Sequence, residues 1–350
     1  MGYTQDLLTD VRQQLAPVDE VLKEARTRRD LVRTAALTFP GMQRSFPSGS
    51  LAHATANCPI HKRDKGLDAD CGAVLSRVTH RDLGPDSISE QGPADIVKDV
   101  LDHIRSTVVA DYPAATLRST KRAILIEFNA PLPNGEDPTV DLVTGLERKD
   151  KPGLWIPNLE KDRWDPSDPE EHTRLLTDEP KSLRVTRARA IRLAKAANKA
   201  DAVPKLCSFN IEALAWMFVK PGMGEAEALL AMWSEGTRDL RRRATPDPAG
   251  VSAPIKCEDR ESAADKFQIS ADRLSAALAH DHDEYRVHKE LSELWPDFVS
   301  GLPAQESKAR IAAALQDSRH LAISTAGALN SSDLGQTLKR PRSFGQWQER

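Results

Sequence analysis

The chain has 350 residues, of which 39% are hydrophobic and 29% charged, and its formal net charge is −3. These values predict a soluble globular protein of one large domain or two fused domains. The mild acidity argues against a constitutive nucleic-acid binder, which needs a large positive surface.

Membrane and disulfide-rich classes are also disfavoured. No apolar run approaches the roughly 18 residues of a membrane span, and the polar N-terminal segment does not resemble a secretory signal peptide. The four cysteines are widely separated and form no Cys-x-x-Cys motif, which favours reduced thiols over a disulfide scaffold or a zinc ribbon. We therefore expect a cytoplasmic protein without a membrane partner.

A long helix is the first predicted element. Apolar residues recur at helical spacing over residues 4–38, and the pattern is broken only by Pro17. We expect this helix to extend along two lobes of the protein.

A candidate phosphate loop follows, at Gly49-Ser50. Glycine lets the backbone approach a polyphosphate closely, and Ser50 offers both a hydroxyl and an N–H to phosphate oxygens. Thr55 lies five residues after Ser50. This arrangement would accommodate a triphosphate.

Three acidic residues are candidate metal ligands. Asp68 and Asp70 come just before an apolar run, residues 71–78, that is typical of a strand, so both carboxylates are expected on one face. Asp141 lies in a β-branched segment that follows turn residues, and it is the best candidate for a third carboxylate on a neighbouring strand. Hard oxygen anions suit Mg²⁺, and three carboxylates could hold two ions.

The rest of the chain is predicted to form a small mixed sheet and then a series of helices. Further strands are predicted at residues 116–119, 122–128 and 139–146. Helices are predicted at residues 94–109, 182–200, 211–217, 225–243, 260–279 and 283–295. The proline-rich stretch 153–181 shows little periodicity and is predicted to be an ordered loop or linker.

Each motif has an ordinary structural explanation when it is taken alone. An Asp-x-Asp pair usually marks a turn or a helix cap, and a single Gly-Ser pair is almost uninformative. The specific signal is the order: Gly-Ser, a threonine, a loop, Asp-x-Asp opening a strand, and a strand aspartate about seventy residues later.

In this order the motifs resemble those of the bacterial cyclic-oligonucleotide synthases (CD-NTases). These enzymes are relatives of cyclic GMP-AMP synthase and of the oligoadenylate synthases, within the polymerase-β-like nucleotidyltransferases. The resemblance extends over about residues 5–285. Besides Gly49-Ser50 and the three aspartates, its matching motifs are residues 153–158, Trp164, Asp168-Pro169-Glu170, Lys195, residues 206–210 (Leu-Cys-Ser-Phe-Asn) and residues 245–250 (Thr-Pro-Asp-Pro-Ala-Gly).

The resemblance implies an α+β fold. A polymerase-β-like nucleotidyltransferase lobe with a mixed β-sheet would occupy residues 1–160, and a helical second lobe would occupy residues 161–325. The long N-terminal helix would bridge the two lobes, and residues 326–350 would be a mobile tail. The zinc-binding insertion of the animal DNA sensor has no counterpart in this sequence.

The resemblance also implies roles for individual residues. Asp68, Asp70 and Asp141 would be catalytic and would bind two Mg²⁺ ions, with Mn²⁺ as a possible substitute. Gly49 and Ser50 would hold the donor β- and γ-phosphates, and Lys195 and Ser208 would contact the triphosphate from the helical lobe.

Two assignments stay open at this level. Phe209 is either an aromatic against the nucleotide base or a buried core residue. The basic residues of the loop 51–67 are either solvated charges or a basic flap near the triphosphate.

The implied activity is template-independent condensation of nucleoside triphosphates, ATP among them, into a cyclic di- or trinucleotide with release of pyrophosphate. Such a product is a second messenger in bacterial antiphage signalling, which implies a nucleotide-gated effector and a regulatory activator protein as partners. Three alternatives remain: a linear oligonucleotide synthase or RNA-tailing enzyme, a non-catalytic member that binds nucleotides or a partner, and a nucleotidyl-transfer toxin that modifies a protein or tRNA.

Overall fold

The β-strands lie almost entirely in the first half of the chain, and long helices make up most of the second half. The computed structural model describes residues 2–59, 66–87, 91–149, 151–201, 203–299, 321–323 and 329–331. The chain divides into two units, Met1–Val299 and Ser300–Arg350. In the described part of the second unit, strands β8 (Leu321–Ile323) and β9 (Leu329–Ser331) pair antiparallel.

The first unit contains seven strands and ten helices among its described residues. The strands are β1 (Met42–Ser48), β2 (Asp68–Leu75), β3 (Thr116–Ser119), β4 (Ile124–Glu127), β5 (Thr139–Glu147), β6 (Leu154–Asn158) and β7 (Arg163–Ser167). The helices are α1 (Tyr3–Gln14), α2 (Asp19–Leu37), α3 (Gly49–Ala52), α4 (Pro93–Asp111), α5 (Pro169–Thr177), α6 (Lys181–Lys199), α7 (Ser208–Phe218), α8 (Glu225–Arg242), α9 (Arg260–Ala279) and α10 (Glu284–Ser292). None of the described helices is long and apolar enough to cross a membrane.

The seven strands form one mixed sheet. Its main path runs β1-β2-β5-β4-β3, and β6 extends from β5 to pair with β7. Strands β2 and β5 are parallel, while the other pairs are antiparallel. The mixed sheet with its surrounding helices confirms the α+β class.

Two large hydrophobic cores lie in this unit. In the sheet core, helices α2 and α4 cover one face of the sheet, where β2 contributes Ala69, Cys71 and Ala73. The helical core is built from α1 and from helices α6 to α10. Because alternate strand residues point to opposite faces, burial of these three β2 side chains in the sheet core places Asp68 and Asp70 on the other face.

The predicted single N-terminal helix is wrong in one respect, because the segment forms two helices. Helix α1 ends at Gln14 and α2 begins at Asp19, with Pro17 between them. Proline lacks an N–H and its ring clashes with the preceding turn, so the helix stops there. The freed carbonyl of Leu15 accepts a hydrogen bond from the backbone N–H of Cys58 at 3.0 Å. Helix α1 packs in the helical core and α2 in the sheet core.

The prediction of a loop over residues 153–181 is also wrong. This stretch contains β6, β7 and α5. Two of its prolines occupy positions that tolerate them: Pro166 lies in β7, which pairs only with β6 in the described sheet, and Pro169 is at the first position of α5. The short strands extend the sheet beyond β5.

Two sequence-based expectations fall largely outside the described residues. The basic part of the predicted flap, residues 60–65, is not described, and neither is the predicted tail 326–350 apart from β9.

Candidate active site

Three carboxylates converge on the face of the sheet opposite α2 and α4. Asp70 of β2 is the direct register partner of Asp141 in the parallel strand β5, and Asp68 precedes Asp70 by two residues. One carboxylate oxygen from each of the three residues lies within 4.8 Å of the others. The structure therefore brings together the three aspartates that the sequence singled out, although Asp68 and Asp141 are 73 positions apart in the sequence.

The three carboxylates differ in their surroundings. Asp68 is exposed, and its Oδ1 accepts a hydrogen bond from the Thr139 hydroxyl at 2.8 Å. Asp70 and Asp141 are partly buried. Asp141 Oδ1 is a buried oxygen with no hydrogen-bond partner among the described residues.

Burial and mutual repulsion disfavour ionisation of two of these carboxylates. Burial, reinforced by the charges of Asp68 and Asp141, raises the pKa of Asp70 to about 8. Burial and the charge of Asp68 raise the pKa of Asp141 to about 6, against an opposing effect of Arg118. Like charges held this close are costly without a cation between them.

The residues present fit a divalent cation. The donor set consists of carboxylate oxygens alone, which suits Mg²⁺ and disfavours softer metals. A cation bound at this point would pair with the unpartnered Oδ1 of Asp141 and would favour the ionised forms of Asp70 and Asp141, whose pKa values are raised by burial and by neighbouring carboxylates. The identity of the ion is a proposal.

The Gly49-Ser50 turn lies directly against this acidic cluster. Strand β1 ends at Ser48, which is the register partner of Asp70, and α3 begins at Gly49. Gly49 has a φ of +68°, and a Cβ atom built on it would lie 1.8 Å from Asp70 Oδ2. Only glycine fits at this position, because both the backbone conformation and the space exclude a side chain.

A cavity of about 500 Å³ opens beside the turn. This volume falls within the range of roughly 300–1,000 Å³ of small-molecule sites. Residues from the sheet and from α6 and α7 line it together, among them Ser50, Thr55, Asp68, Asp70, Lys195 and Ser208. Most of the residues that the resemblance implies for nucleotide binding therefore border one space.

Phe209 is placed elsewhere. It is partly buried, and its ring packs against the imidazole of His172 with the ring centroids 4.7 Å apart. It borders a separate, much smaller cavity of about 10 Å³ and is not among the described residues that line the large one. Its proposed contact with a base stays a prediction.

Lys195 is buried at the edge of the cavity and has protein partners. Its ammonium donates to Glu212 Oε1 at 2.7 Å and to the hydroxyl of Thr55 at 3.1 Å. Burial opposes ionisation of Glu212, but the nearby charge of Lys195 and the hydrogen bond from His53 outweigh it and lower the pKa of this carboxyl. The lysine and the glutamate therefore form a buried ion pair.

Glu212 and His53 were missed by the sequence reasoning. His53 Nδ1 lies 3.1 Å from Glu212 Oε2. A usable signal was present for the glutamate, because it is the only charged residue in the predominantly apolar helix α7. No comparable signal marks His53.

The motif at residues 245–250 supports the N-terminal end of α7. Asp247 accepts hydrogen bonds from the backbone N–H groups of Ala249, Val251 and Ser252, and its Oδ1 lies 2.6 Å from His172 Nε2. Burial disfavours the charged form of Asp247, but the hydrogen bonds from Ser252 and His172 lower its pKa. A further hydrogen bond, from the amide of Asn210 to the Thr245 hydroxyl at 3.3 Å, ties this turn to α7.

Comparisons with known proteins identify the fold. No protein-family model and no curated protein sequence matches the chain. Among solved structures, the CD-NTase CdnG of Bradyrhizobium diazoefficiens in complex with GTP is 14% identical, with a TM-score of 0.63 over 85% of this chain and 96% of that one. CdnC of E. coli MS115-1, solved with ATP, is 16% identical, with a TM-score of 0.62 over 86% of this chain and 99% of that one.

A third similar structure is the Vibrio cholerae DncV cyclic AMP-GMP synthase with the linear intermediate pppA(3′,5′)pG. It is 16% identical, with a TM-score of 0.56 over 85% of this chain and 87% of that one. CdnC is also known in a CdnC:HORMA-deltaN complex. These similarities confirm the resemblance at the level of the fold: the chain has the fold of the CD-NTases.

Proposed function

We propose that this protein is a template-independent nucleotidyltransferase that condenses nucleoside triphosphates into a cyclic di- or trinucleotide. The observation that carries the proposal is the convergence of Asp68, Asp70 and Asp141 within 4.8 Å beside a glycine turn, at the edge of a cavity of about 500 Å³. The CD-NTase fold supports the same conclusion.

The donor nucleotide would bind with its triphosphate in the large cavity. The backbone at Gly49 and the hydroxyl of Ser50 would contact the β- and γ-phosphates from the sheet side. Ser208, at the first position of α7, and Lys195 of α6 would contact them from the helical side. Contacts from both sides would hold the α-phosphorus near the three aspartates and exclude water.

Asp68 and Asp70 would hold two Mg²⁺ ions, and Asp141 would complete the one nearer the acceptor hydroxyl. Mg²⁺ bound here would supply positive charge that favours attack by the acceptor hydroxyl and departure of the pyrophosphate. The acceptor hydroxyl oxygen would form a bond to the α-phosphorus while the bond to the β-phosphate oxygen breaks. The carboxylate of Asp141 would also assist deprotonation of that hydroxyl.

One further transfer for a dinucleotide, or two for a trinucleotide, would close the ring, and each would release a pyrophosphate. The product would be a cytoplasmic second messenger of antiphage defence. A nucleotide-gated effector would bind it. CdnC is known in a complex with HORMA-deltaN, and we propose that a regulatory protein likewise activates this chain.

The proposal is tested with purified protein, all four nucleoside triphosphates, and Mg²⁺ or Mn²⁺. The products are treated with phosphatase and identified by mass spectrometry. A phosphatase-resistant product without terminal phosphates is expected, and it would identify the bases and the ring size. A ladder of linear products would instead establish a linear oligonucleotide synthase.

The matched control for this assay is the variant Asp68→Asn with Asp70→Asn. It removes the charges of two proposed metal ligands at little steric cost, so product formation should be abolished while the fold persists. Unchanged synthesis by this variant would contradict the assignment of the active site.

A further inference from the structure

Glu212 lies at the centre of a buried hydrogen-bond network beside the large cavity. Its Oε1 accepts from the ammonium of Lys195 and from the hydroxyl of Thr55, both at 2.7 Å, and its Oε2 accepts from His53 Nδ1 at 3.1 Å. An ionised carboxylate only accepts hydrogen bonds, so all three partners are donors here. Glu212 is 6% exposed, as is Lys195.

Two of these partners belong to the segment that follows the glycine turn. His53 directly follows α3, which begins at Gly49, and the backbone N–H of Thr55 donates to the carbonyl of Ser50 at 2.9 Å. The side chains of His53 and Thr55 therefore attach the Ser50 turn to α7 through the carboxylate of Glu212.

The same carboxylate is connected to the residues on the helical side of the cavity. Ser208 and Glu212 are four positions apart on α7, so they lie one turn apart on the same face of the helix. Lys195, on α6, borders the cavity. Two of the three N–H donors of Lys195 have partners in the described structure, namely Glu212 and Thr55. An ammonium in this position can offer its third donor to a phosphate.

Net stability is a poor explanation for this network. A buried ion pair is often no more stabilising than well-packed apolar residues of the same volume, because both charges must be removed from water. Positioning is a better explanation. The carboxylate joins the Ser50 turn, Lys195 and the helix that carries Ser208, so it fixes the distances between these three groups around the cavity.

We propose that Glu212 is a positioning residue that holds Lys195 and the Gly49-Ser50 turn at fixed distances from Ser208, so that a triphosphate is contacted from both sides. This inference rests on the proposed function, because it concerns the binding of the nucleoside triphosphate substrate. Glu212 itself does not need to touch the substrate.

The test is Glu212→Gln, which preserves the shape of the side chain. An amide has one acceptor oxygen, whereas donors face both oxygens of Glu212, so at least one donor would face an NH₂ group. We expect the KM for ATP and the dissociation constant for α,β-methylene-ATP with Mg²⁺ to rise about tenfold, with a smaller change in kcat.

The direction of this change separates positioning from simple electrostatics. Removing a negative charge near a triphosphate site should tighten binding if only charge matters, whereas loss of positioning weakens it. Because Glu212 acts partly through Lys195 and partly through the Ser50 turn, Glu212→Gln should weaken ATP binding by a smaller factor in the Lys195→Met background than in the wild type.

Glu225→Gln is the matched control. Glu225 is equally buried, at 6% exposure, and pairs with Arg12 and Arg189; none of these three residues is among the described residues that line the cavity. This variant should lower the melting temperature while leaving the KM for ATP within about twofold of the wild type.

Thr55→Val provides a second test if Glu212→Gln does not fold. It removes one hydroxyl from the network without changing the volume greatly, and the KM for ATP should rise severalfold.

Two results would contradict these proposals in different ways. If the wild type binds ATP and the folded variants bind it equally well or more tightly, this inference alone is overturned. Wild-type protein that binds no nucleoside triphosphate would overturn the proposed function, and this inference with it.

Discussion

The backbone of Gly49 lies against the carboxylate of Asp70 so closely that a methyl group on Gly49 would approach Asp70 Oδ2 to 1.8 Å. The glycine also has a φ of +68°, which L-amino acids with side chains rarely adopt. The turn and the acidic cluster therefore form one structural unit.

We predict that Gly49→Ala reduces turnover at least about a hundredfold, because the turn and Asp70 would have to move apart and a displacement of about 1 Å is enough for such a loss. Initial rates of pyrophosphate release measure this effect.

Gly222→Ala is the matched control for that variant. Gly222 has a φ of +88°, but a Cβ atom there would meet no atom of the described residues within 4 Å, apart from its neighbours in the chain. It should lose about 1–2 kcal/mol of the free energy of unfolding from backbone strain and keep its activity. Equal activity losses in both variants would show that strain, not contact with Asp70, is responsible.

Asp70→Asn is predicted to stabilise the metal-free protein while abolishing activity. The pKa of Asp70 is raised to about 8 by burial and by the charges of Asp68 and Asp141, so its ionised form is unfavourable in the folded state. At pH 8.5 the substitution should add on the order of 1–3 kcal/mol, or about 2–4 °C in Tm for each kcal/mol. Differential scanning fluorimetry in EDTA measures the effect. Asp111→Asn, at an exposed carboxylate, should leave the Tm unchanged.

The contribution of the acidic cluster to the stability of the metal-free protein should fall as the pH rises from about 4 to about 8. Asp70 has a folded pKa of about 8, above its ordinary value of 3.8, so over this range the folded state binds more protons than the unfolded state. Asp141, with a pKa of about 6, contributes in the same direction. The stabilising contribution is complete below about pH 4 and is lost as the pH passes the folded pKa.

Melting temperatures at pH 5 and pH 8.5, in EDTA and in Mg²⁺, provide the measurement. The fall in Tm should be larger for the wild type than for Asp70→Asn, and Mg²⁺ should restore more of it in the wild type. If pH and Mg²⁺ change the Tm of the wild type and that of Asp70→Asn by equal amounts, the predicted charge repulsion is contradicted.

Arg28 is predicted to be essential for stability. Its side chain is 1% exposed, and its guanidinium donates to Asp137 Oδ1, to Glu24 Oε1 and to the carbonyls of Ala130 and Pro138. These contacts hold the loop that leads into β5. Arg28→Lys cannot reproduce the planar set of donors and leaves buried acceptors unpaired, so we expect a loss of about 3–5 kcal/mol of the free energy of unfolding.

Urea denaturation of Arg28→Lys measures that loss. Arg238→Lys is the comparison, because Arg238 is 73% exposed and pairs with Glu235 on the surface of α8. Its effect should stay within about 0.5 kcal/mol. A similar small effect at Arg28 would show that its buried contacts contribute little.

Local sequence patterns predicted most of the secondary structure of the first unit. The helices at residues 94–109 and 260–279 and the strands at residues 116–119 and 139–146 agree with the structure to within about two residues at each end. Strand β1 was not predicted, and the other large failures involve proline. Pro17 had a stronger effect than predicted, because it divides the N-terminal segment into two helices. Pro166 was interpreted as a sign of a loop but lies in a strand. Whether a strand has a neighbour on the side of its proline cannot be inferred from local sequence.

The sequence by itself determined the acidic cluster, because a strand places residues two apart on one face and so makes Asp68 and Asp70 converge. Only the tertiary structure decided what surrounds the cavity. Lys195 and Glu212 meet Thr55 across 140 and 157 positions of sequence, and Phe209 packs against His172. The physical reason is that strand and helix periodicity acts over a few residues, whereas a buried charge takes its partners from whichever elements the packing of the two cores brings beside it.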